Sequence, residues 1–223
     1  MPKRKVGDGN STSSLALQNG FFWRTIWEHG ENASLRQKRK DPNVLSADDD
    51  IFIPELQIKK VSKGTEAEHV FKRKGEPSKI KMQLLELGNP RKDEDYILEV
   101  AGELKRGKTD AEGKIEHFIP GDAKSAKLIF KDGKEVHNLR LGSLDPSDLG
   151  SGVTQRLNNL GFKLPMRAKK GMKAAEAFAE GKIEKSIEKK VTNVIKSFQK
   201  EYDLEQTGKV DDKLIAKLDE VAK

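Results

Sequence analysis

The spacing of apolar residues changes twice along the chain, and this change limits the folds that its 223 residues can adopt. In about residues 1–56, apolar residues recur every three to four positions, as on one face of a helix. Residues 67–143 show the two-residue period of strands, and from about residue 148 the helical period returns. Hydrophobic and charged residues each make up 35% of the sequence, so the core is modest or divided. We therefore predict an α+β protein with separate helical and strand-rich parts.

The first segment reads as helices followed by a short strand, DIFIP. The stretch SSLALQNG predicts a helix with Ser13 or Ser14 as its N-cap and Gly20 at its end. Both tryptophans of the chain, Trp23 and Trp27, follow at helical spacing on an apolar stripe. Their rings could stack on sugars or on bases, but this spacing favours packing in the core of a small module.

The middle of the chain is strand-like after a polar linker at 57–66. Residues 67–145 predict a small antiparallel β-sandwich, with its first strand in HVFKRK. Gly113 suits a left-handed turn position. Asp132 and Gly133 in KDGK predict a hairpin with a type I′ turn.

The last segment, 146–223, predicts a bundle of three helices. The first helix ends at Gly161, because glycine is favoured just beyond a helix C-terminus. A second apolar stripe runs from Ile183 to Phe198. The third helix begins near Asp211, which is a suitable N-cap residue.

Several classes of protein are excluded or disfavoured by composition. Cysteine is absent, which excludes disulfides and thiolate metal sites. No apolar run approaches the length that spans a bilayer. The basic start MPKRKVGDGNSTSS contains no apolar segment of the signal-peptide kind, so we expect synthesis in the cytoplasm. No nucleotide-binding loop or nucleophile motif is present, and we predict no enzymatic activity and no cofactor.

Histidines and basic tracts give two further hypotheses. His69, His117 and His137 lie in strand-like stretches and could converge on a metal, but hydrogen-bonded surface histidines are favoured, and we predict no metal site. Lys and Arg number 43 against 36 Asp and Glu, a net charge of +7. The basic tracts LRQKRK, KRK and MRAKKGMK lie in different segments, which favours solvated faces over one phosphate-binding surface.

The first segment resembles the lysin motif (LysM) domain, a small βααβ module that binds glycans containing N-acetylglucosamine. The resemblance lies in SSLALQNG, TIWEHGEN and DPNVLSADDDIFIP, with a first strand in RKV. It implies a module at 1–56 whose loops contact the glycan. The glycan-binding residues that it implies are Asn32, Asp41, Asn43, Val44 and Leu45.

The last segment resembles the peptidoglycan-binding type 1 domain, a three-helix bundle. VTQRLNNLGF is similar to its first helix, and VTNVIKSFQKEYDLEQTGKVDDKLIAKL is similar to its second and third. The resemblance implies a glycan contact near Phe198, Gln199 and Tyr202. The short loop that joins the first two helices in the family is replaced here by a long insertion at 163–190.

The insertion itself allows two interpretations. Its glutamates recur every fourth residue, which predicts one solvated helix flank that pairs with lysines, at Glu176, Glu180, Glu184 and Glu188. Alternatively, the insertion is a docking helix whose apolar residues are buried by a partner. The docking residues would then be Met172, Phe178 and Ile183, together with Met166 and Ala175.

The order of all three segments resembles peptidoglycan-binding-like proteins encoded beside type VI secretion spike genes. This resemblance implies a non-catalytic adaptor of a contractile injection system, with a spike or effector protein as partner. Peptidoglycan is a further expected ligand, after delivery to the periplasm or to a target cell. A protein–protein scaffold or effector-associated chaperone without glycan binding is one alternative. A basic nucleic-acid-binding protein is another.

Overall fold

The chain contains both helices and strands, which confirms the predicted α+β class. The residues that the computed structural model describes are 3–57, 60–70, 77–86, 88–179 and 181–222. Two compact units divide the chain, Met1–Ser143 and Leu144–Lys223. Among the described helices, none has both the length and the apolar character that crossing a bilayer requires.

The amino-terminal part of the first unit begins and ends with short strands that pair antiparallel to each other. The elements are β1 (Arg4–Lys5), α1 (Thr12–Gln18), α2 (Trp23–Trp27), a 3-10 helix (Gly30–Asn32), α3 (Ala33–Arg39) and β2 (Asp50–Ile51). The predicted order of strand, two helices and strand therefore omitted α3. That helix contains most of the basic run, and only Leu35 of its residues is buried, so it has no apolar stripe.

The start of α1 differs from the prediction by two to three residues. Ser11 is the N-cap, and its hydroxyl oxygen accepts a hydrogen bond from the Ser14 amide. The Ser14 hydroxyl oxygen accepts from the Ser11 amide in return, so the two serines form a capping box. Ser13 and Ser14 are therefore helical residues, because the serine that precedes them already satisfies the cap.

The second part of the first unit is built from antiparallel strands. They are β3 (Ser78–Gln83), β4 (Leu85–Glu86), β5 (Asn89–Pro90), β6 (Asp95–Val100), β7 (Glu103–Lys108), β8 (Lys114–Ile119), β9 (Ser125–Phe130) and β10 (Glu135–Arg140). One sheet has the order β10-β9-β6-β7, and β3 pairs with β8. Apolar residues of both sheets form one core cluster, since Ile80 and Ile115 join Leu98 and Leu128. The predicted strand HVFKRK lies mostly outside the described residues.

Two turn predictions are confirmed. Gly113 has a φ of +71°, which confirms its left-handed position, and an added Cβ would lie 2.5 Å from the Leu84 carbonyl oxygen. The hairpin predicted at KDGK is also confirmed, because β9 and β10 pair antiparallel and the Lys134 amide donates to the Lys131 carbonyl at 3.1 Å. Asp132 and Gly133, the two central residues of this turn, have positive φ, as a type I′ turn requires. Phe130 pairs with Glu135, so four residues connect β9 and β10. Lys131, Asp132 and Gly133 all have positive φ, and Lys131–Gly133 forms a 3-10 turn.

A buried arginine fastens the loop before β6 to the edge strand β10. The Arg91 guanidinium donates hydrogen bonds to both Glu135 carboxylate oxygens and to Glu94. It also lies 4.2 Å from the centre of the Phe130 ring. Hydrogen bonds from Arg91, and then from His137 and Lys131, lower the pKa of Glu135 from 4.5 to about 2.

The second unit is helical. Its helices are α4 (Gly150–Asn159), α5 (Ala174–Ala177), α6 (Lys185–Glu201) and α7 (Asp212–Val221). Gly161 follows α4 with a φ of +92°, and the Asp211 side chain caps α7 by accepting from the Leu214 amide, as predicted. The core of this unit includes Val153, Leu157 and Leu214.

The predicted flank of glutamates does not form one helix. Glu176 lies in the four-residue α5, Glu184 is the N-cap residue of α6, and Glu188 lies in its first turn. Glu180 is outside the described residues. Gly171 and Gly181 both have positive φ, which is incompatible with a helix that runs through the insertion.

Candidate functional site

Asn32, a predicted glycan contact, is buried and forms hydrogen bonds within the fold. Its side chain is buried, with 1% of the residue exposed. The amide nitrogen donates to the Ile26 carbonyl and to the Phe52 carbonyl, both at 2.8 Å. The amide oxygen accepts from the Phe52 amide at 2.8 Å. Asn32 thus joins the end of α2 to the segment after β2, and a ligand cannot reach it.

The other predicted glycan residues of this part lie on one loop between α3 and β2. Leu45 is buried in the core, and Val44 is half-buried. Asp41 and Asn43 are exposed. The Asp41 carboxylate accepts from the Asn43 amide, and the Asn43 side-chain oxygen accepts from the Ser13 hydroxyl at 2.8 Å. Of the predicted glycan residues on this loop, only Asp41 and Asn43 are therefore exposed.

Asp49 organises the basic run of α3, a role that the sequence did not reveal. Its buried carboxylate accepts from Lys38 Nζ at 2.7 Å, from Arg39 Nε at 2.6 Å and from the Ser46 amide. Burial acts to raise the pKa of Asp49, but the hydrogen bonds from Arg39 and Lys38 outweigh it, and the pKa lies below its ordinary 3.8. Two cations of the run are therefore engaged within the fold, which weakens its interpretation as a nucleic-acid surface.

We expect Asp49→Asn to lower the free energy of unfolding by about 2 kcal/mol at pH 6, because the ionic hydrogen bonds of Lys38 and Arg39 to a buried carboxylate are weakened. The native pKa of Asp49 is depressed, so its contribution is complete above pH 3.8 and is lost as the pH falls through the native value. Urea titrations followed by tryptophan fluorescence at several pH values measure this. The difference between the two proteins should close below pH 3.8, and a difference that stays constant down to pH 2 would contradict the assignment.

The tryptophans contribute mainly to the core of the first part. Trp27 is buried with Ile26, and Trp23 is partly buried against the same cluster. The Arg24 guanidinium carbon lies 5.3 Å from the centre of the Trp23 ring. A shallow cavity of about 290 Å³ lies elsewhere, between the residues after α1 and those after β2, and Phe21 and Leu56 line it. None of the predicted glycan residues borders this cavity.

In the second unit, Phe198 and Gln199 are interior residues. Phe198 is fully buried in the bundle core. Gln199 is 1% exposed, and its side-chain nitrogen donates to the Thr207 hydroxyl at 2.8 Å and to the Lys209 carbonyl. Its side-chain oxygen accepts from the Gly208 amide at 2.8 Å. The Phe-Gln pair therefore holds the loop between α6 and α7 in place, which corrects its prediction as a direct glycan contact.

Tyr202 is the one predicted glycan residue of this unit whose ring reaches the surface. It is half-buried, and its ring centre lies 4.7 Å from that of Phe198 and 6.4 Å from that of Phe162. Lys217 Nζ lies 6.0 Å from the ring centre. Burial raises the pKa of the Tyr202 hydroxyl above its ordinary 10.0, so the hydroxyl is protonated near neutral pH. A ring held by two aromatic neighbours is suited to stacking against a sugar.

The insertion does not form the predicted docking helix. Phe178 and Ile183 pack against the core of their own bundle, as does Met166. Met172 is half-buried, and its carbonyl accepts from the Gly150 amide at 2.9 Å. The expected docking residues are therefore largely occupied within the chain, because the bundle needs their apolar surface to complete a small core.

The histidines of the first unit have separate partners. His117 Nε2 lies 2.7 Å from the Tyr96 hydroxyl, and His137 Nε2 lies 2.7 Å from the Glu135 carboxylate. His69 Nε2 lies 2.8 Å from the Gly64 carbonyl oxygen. Within the ranges that the structure describes, no group of three or more His, Asp or Glu side chains could hold a metal ion.

Comparison with known protein families gives a match within the second unit. Residues 153–218 match the family model described as "Putative peptidoglycan binding domain". No curated protein and no solved structure matches the chain. The matched residues begin in α4 and end in α7, so they include both the Phe198–Gln199 pair and the insertion. The carboxyl-terminal unit contains a peptidoglycan-binding type 1 domain at residues 153–218.

Proposed function

We propose that this protein is a non-catalytic peptidoglycan-binding protein whose wall contact lies in the carboxyl-terminal unit. The match of residues 153–218 to the family is the observation that carries the proposal. The local arrangement supports it, because Gln199 fixes the loop between α6 and α7 by hydrogen bonds to Thr207, Gly208 and Lys209. Tyr202 lies at the start of that loop with part of its ring exposed.

We expect Tyr202→Ala to bind purified peptidoglycan sacculi about fivefold more weakly than the unaltered protein, because a partly exposed stacking surface is lost. Tyr202→Phe keeps the ring and removes only the hydroxyl, so it should bind like the unaltered protein. Sedimentation with sacculi at moderate salt measures the bound fraction. If the unaltered protein stays in the supernatant at all sacculus concentrations, the proposed wall binding is wrong.

A finer proposal concerns the place of the protein in the cell. Made in the cytoplasm, it would act as an adaptor of a type VI-like contractile secretion system and contact a spike or effector protein. Its support is the order of the LysM-like, strand-rich and bundle segments in the sequence. Affinity capture from cells under native conditions tests it, since capture without any spike or effector component would contradict the adaptor role.

A second candidate is a protein–protein scaffold that uses both wall-binding folds without a glycan. The observation that favours it is that four predicted glycan residues are buried within the protein, Asn32, Leu45, Phe198 and Gln199. The scaffold predicts capture of a protein partner together with no sedimentation on sacculi. A nucleic-acid-binding role is less well supported, because Lys38 and Arg39 are engaged by Asp49. It predicts retention on heparin with a steep salt dependence.

A further inference from the structure

Positive charge in the second unit is concentrated in one segment. Residues 163–190 contain nine Lys and Arg and four Glu, a net charge of +5. The other residues of 144–223 contain seven Lys and Arg and nine Asp and Glu, a net charge of −2. The first part of the segment, KLPMRAKKGMK at 163–173, holds five of the basic residues and no acidic residue. We refer to residues 163–173 as the basic strap.

The basic strap is fastened to the bundle at both ends. At its start, the Leu164 amide donates to the Asn158 side-chain oxygen at 2.8 Å, and the Leu164 side chain is buried in the core. At its end, the Met172 carbonyl accepts from the Gly150 amide at 2.9 Å. Just beyond the strap, the Ala174 amide donates to the Asp148 carbonyl at 2.8 Å. These hydrogen bonds therefore fix both ends of the strap on the surface of the bundle.

Inward and outward residues alternate along the first half of the strap. Leu164 is buried, Met166 packs against the core, and Ala168 is half-buried. The side chains between and beside them are exposed, and three of these are the cations Lys163, Arg167 and Lys169. The three cations therefore stand at separate exposed positions of the strap, at residues 163, 167 and 169.

We propose that the basic strap binds the free carboxylates on the peptide stems of peptidoglycan, through Lys163, Arg167 and Lys169. This inference rests on the proposed wall binding of the same unit. Separated cations on a fixed backbone suit a polymer that carries carboxylates at intervals, because each cation pairs with its own anion. In the basic run of α3, by contrast, Lys38 and Arg39 pair with Asp49, so the strap is a better candidate than that run for an anionic polymer.

The test compares two triple variants in sedimentation with purified sacculi. The strap variant carries Lys163→Gln, Arg167→Gln and Lys169→Gln. The control variant removes the same charge from exposed lysines of α6 and α7, by Lys196→Gln, Lys200→Gln and Lys213→Gln. We expect about tenfold weaker binding for the strap variant, from three exposed ion pairs, and a change of less than about twofold for the control. Circular dichroism checks that both variants fold.

A second pair of measurements identifies the anion on the wall. Sacculi whose carboxylates have been converted to neutral amides should bind the unaltered protein about tenfold more weakly, at the level of the strap variant. The strap variant should bind native and amidated sacculi equally. Unaltered protein that binds both preparations equally, or a strap variant that binds as well as the control, overturns the strap inference alone. Unaltered protein that binds neither preparation overturns the proposed function and the inference with it.

One further outcome would reassign the strap to a different polymer. If the strap variant loses binding to a double-stranded DNA probe and keeps its binding to native sacculi, the strap is a phosphate-binding surface, and the carboxylate proposal is wrong. We expect the opposite result, in which binding of the DNA probe is weak for all three proteins and falls equally with added salt.

Discussion

Asn32→Ala should lower the free energy of unfolding of the amino-terminal part by about 3 kcal/mol. The substitution removes three hydrogen bonds of a buried side chain, two of them to the Phe52 amide and carbonyl and one to the Ile26 carbonyl. Alanine can satisfy none of these groups, and it also leaves a small cavity beside Ile26. A buried polar group that loses its partner keeps the full cost of its desolvation.

Both tryptophans lie in this part, so urea titration followed by tryptophan fluorescence measures the effect directly. Asn43→Ala is the matched control. Its side chain is exposed and accepts one hydrogen bond from Ser13, so we expect a loss of less than about 1 kcal/mol. If Asn32→Ala were as stable as the control while its binding to sacculi fell, Asn32 would contact glycan, and the structural role would be wrong.

The contrast between these two asparagines shows where inference from the sequence stops. Both lie in loops that resemble the same glycan-binding module, and nothing in the local pattern separates them. Asn32 meets Phe52, which lies twenty residues later in the chain, and only the folded chain brings their polar groups together. Features set by a few neighbouring residues were predictable. Asp211 as an N-cap and Gly113 and Gly161 as left-handed positions are examples.

In the insertion, two sequence patterns indicated different structures, and the prediction followed the wrong one. Glutamates at every fourth position indicated a helix, yet Gly171 and Gly181 interrupt that segment with positive φ. The alternation of Leu164, Met166 and Ala168 with exposed residues is visible in KLPMRAK and is typical of an extended segment on a core. Asp49 could not be predicted in this way, because its partners Lys38 and Arg39 are fixed by α3, which has no apolar stripe.

Phe198→Ala should lower the free energy of unfolding of the carboxyl-terminal unit by about 4 kcal/mol, because it leaves a ring-sized cavity in a small core. The ring is fully buried among the core residues of the bundle. It lies 5.4 Å from the Phe162 ring and 4.7 Å from the Tyr202 ring, measured between centres.

Tyr202→Ala is the matched control, because it removes an aromatic ring of the same cluster that is only half-buried. We expect a loss of about 1 kcal/mol for this control, and urea titration followed by far-ultraviolet circular dichroism at 222 nm compares the two variants. The two variants distinguish an effect on stability from an effect on sacculus binding. Phe198→Ala should retain sacculus binding under conditions where it remains folded, whereas Tyr202→Ala should remain folded and bind more weakly. The reverse pattern, a stable Phe198→Ala variant with lost binding, would place the ligand on the Phe198 ring and contradict its role in the core.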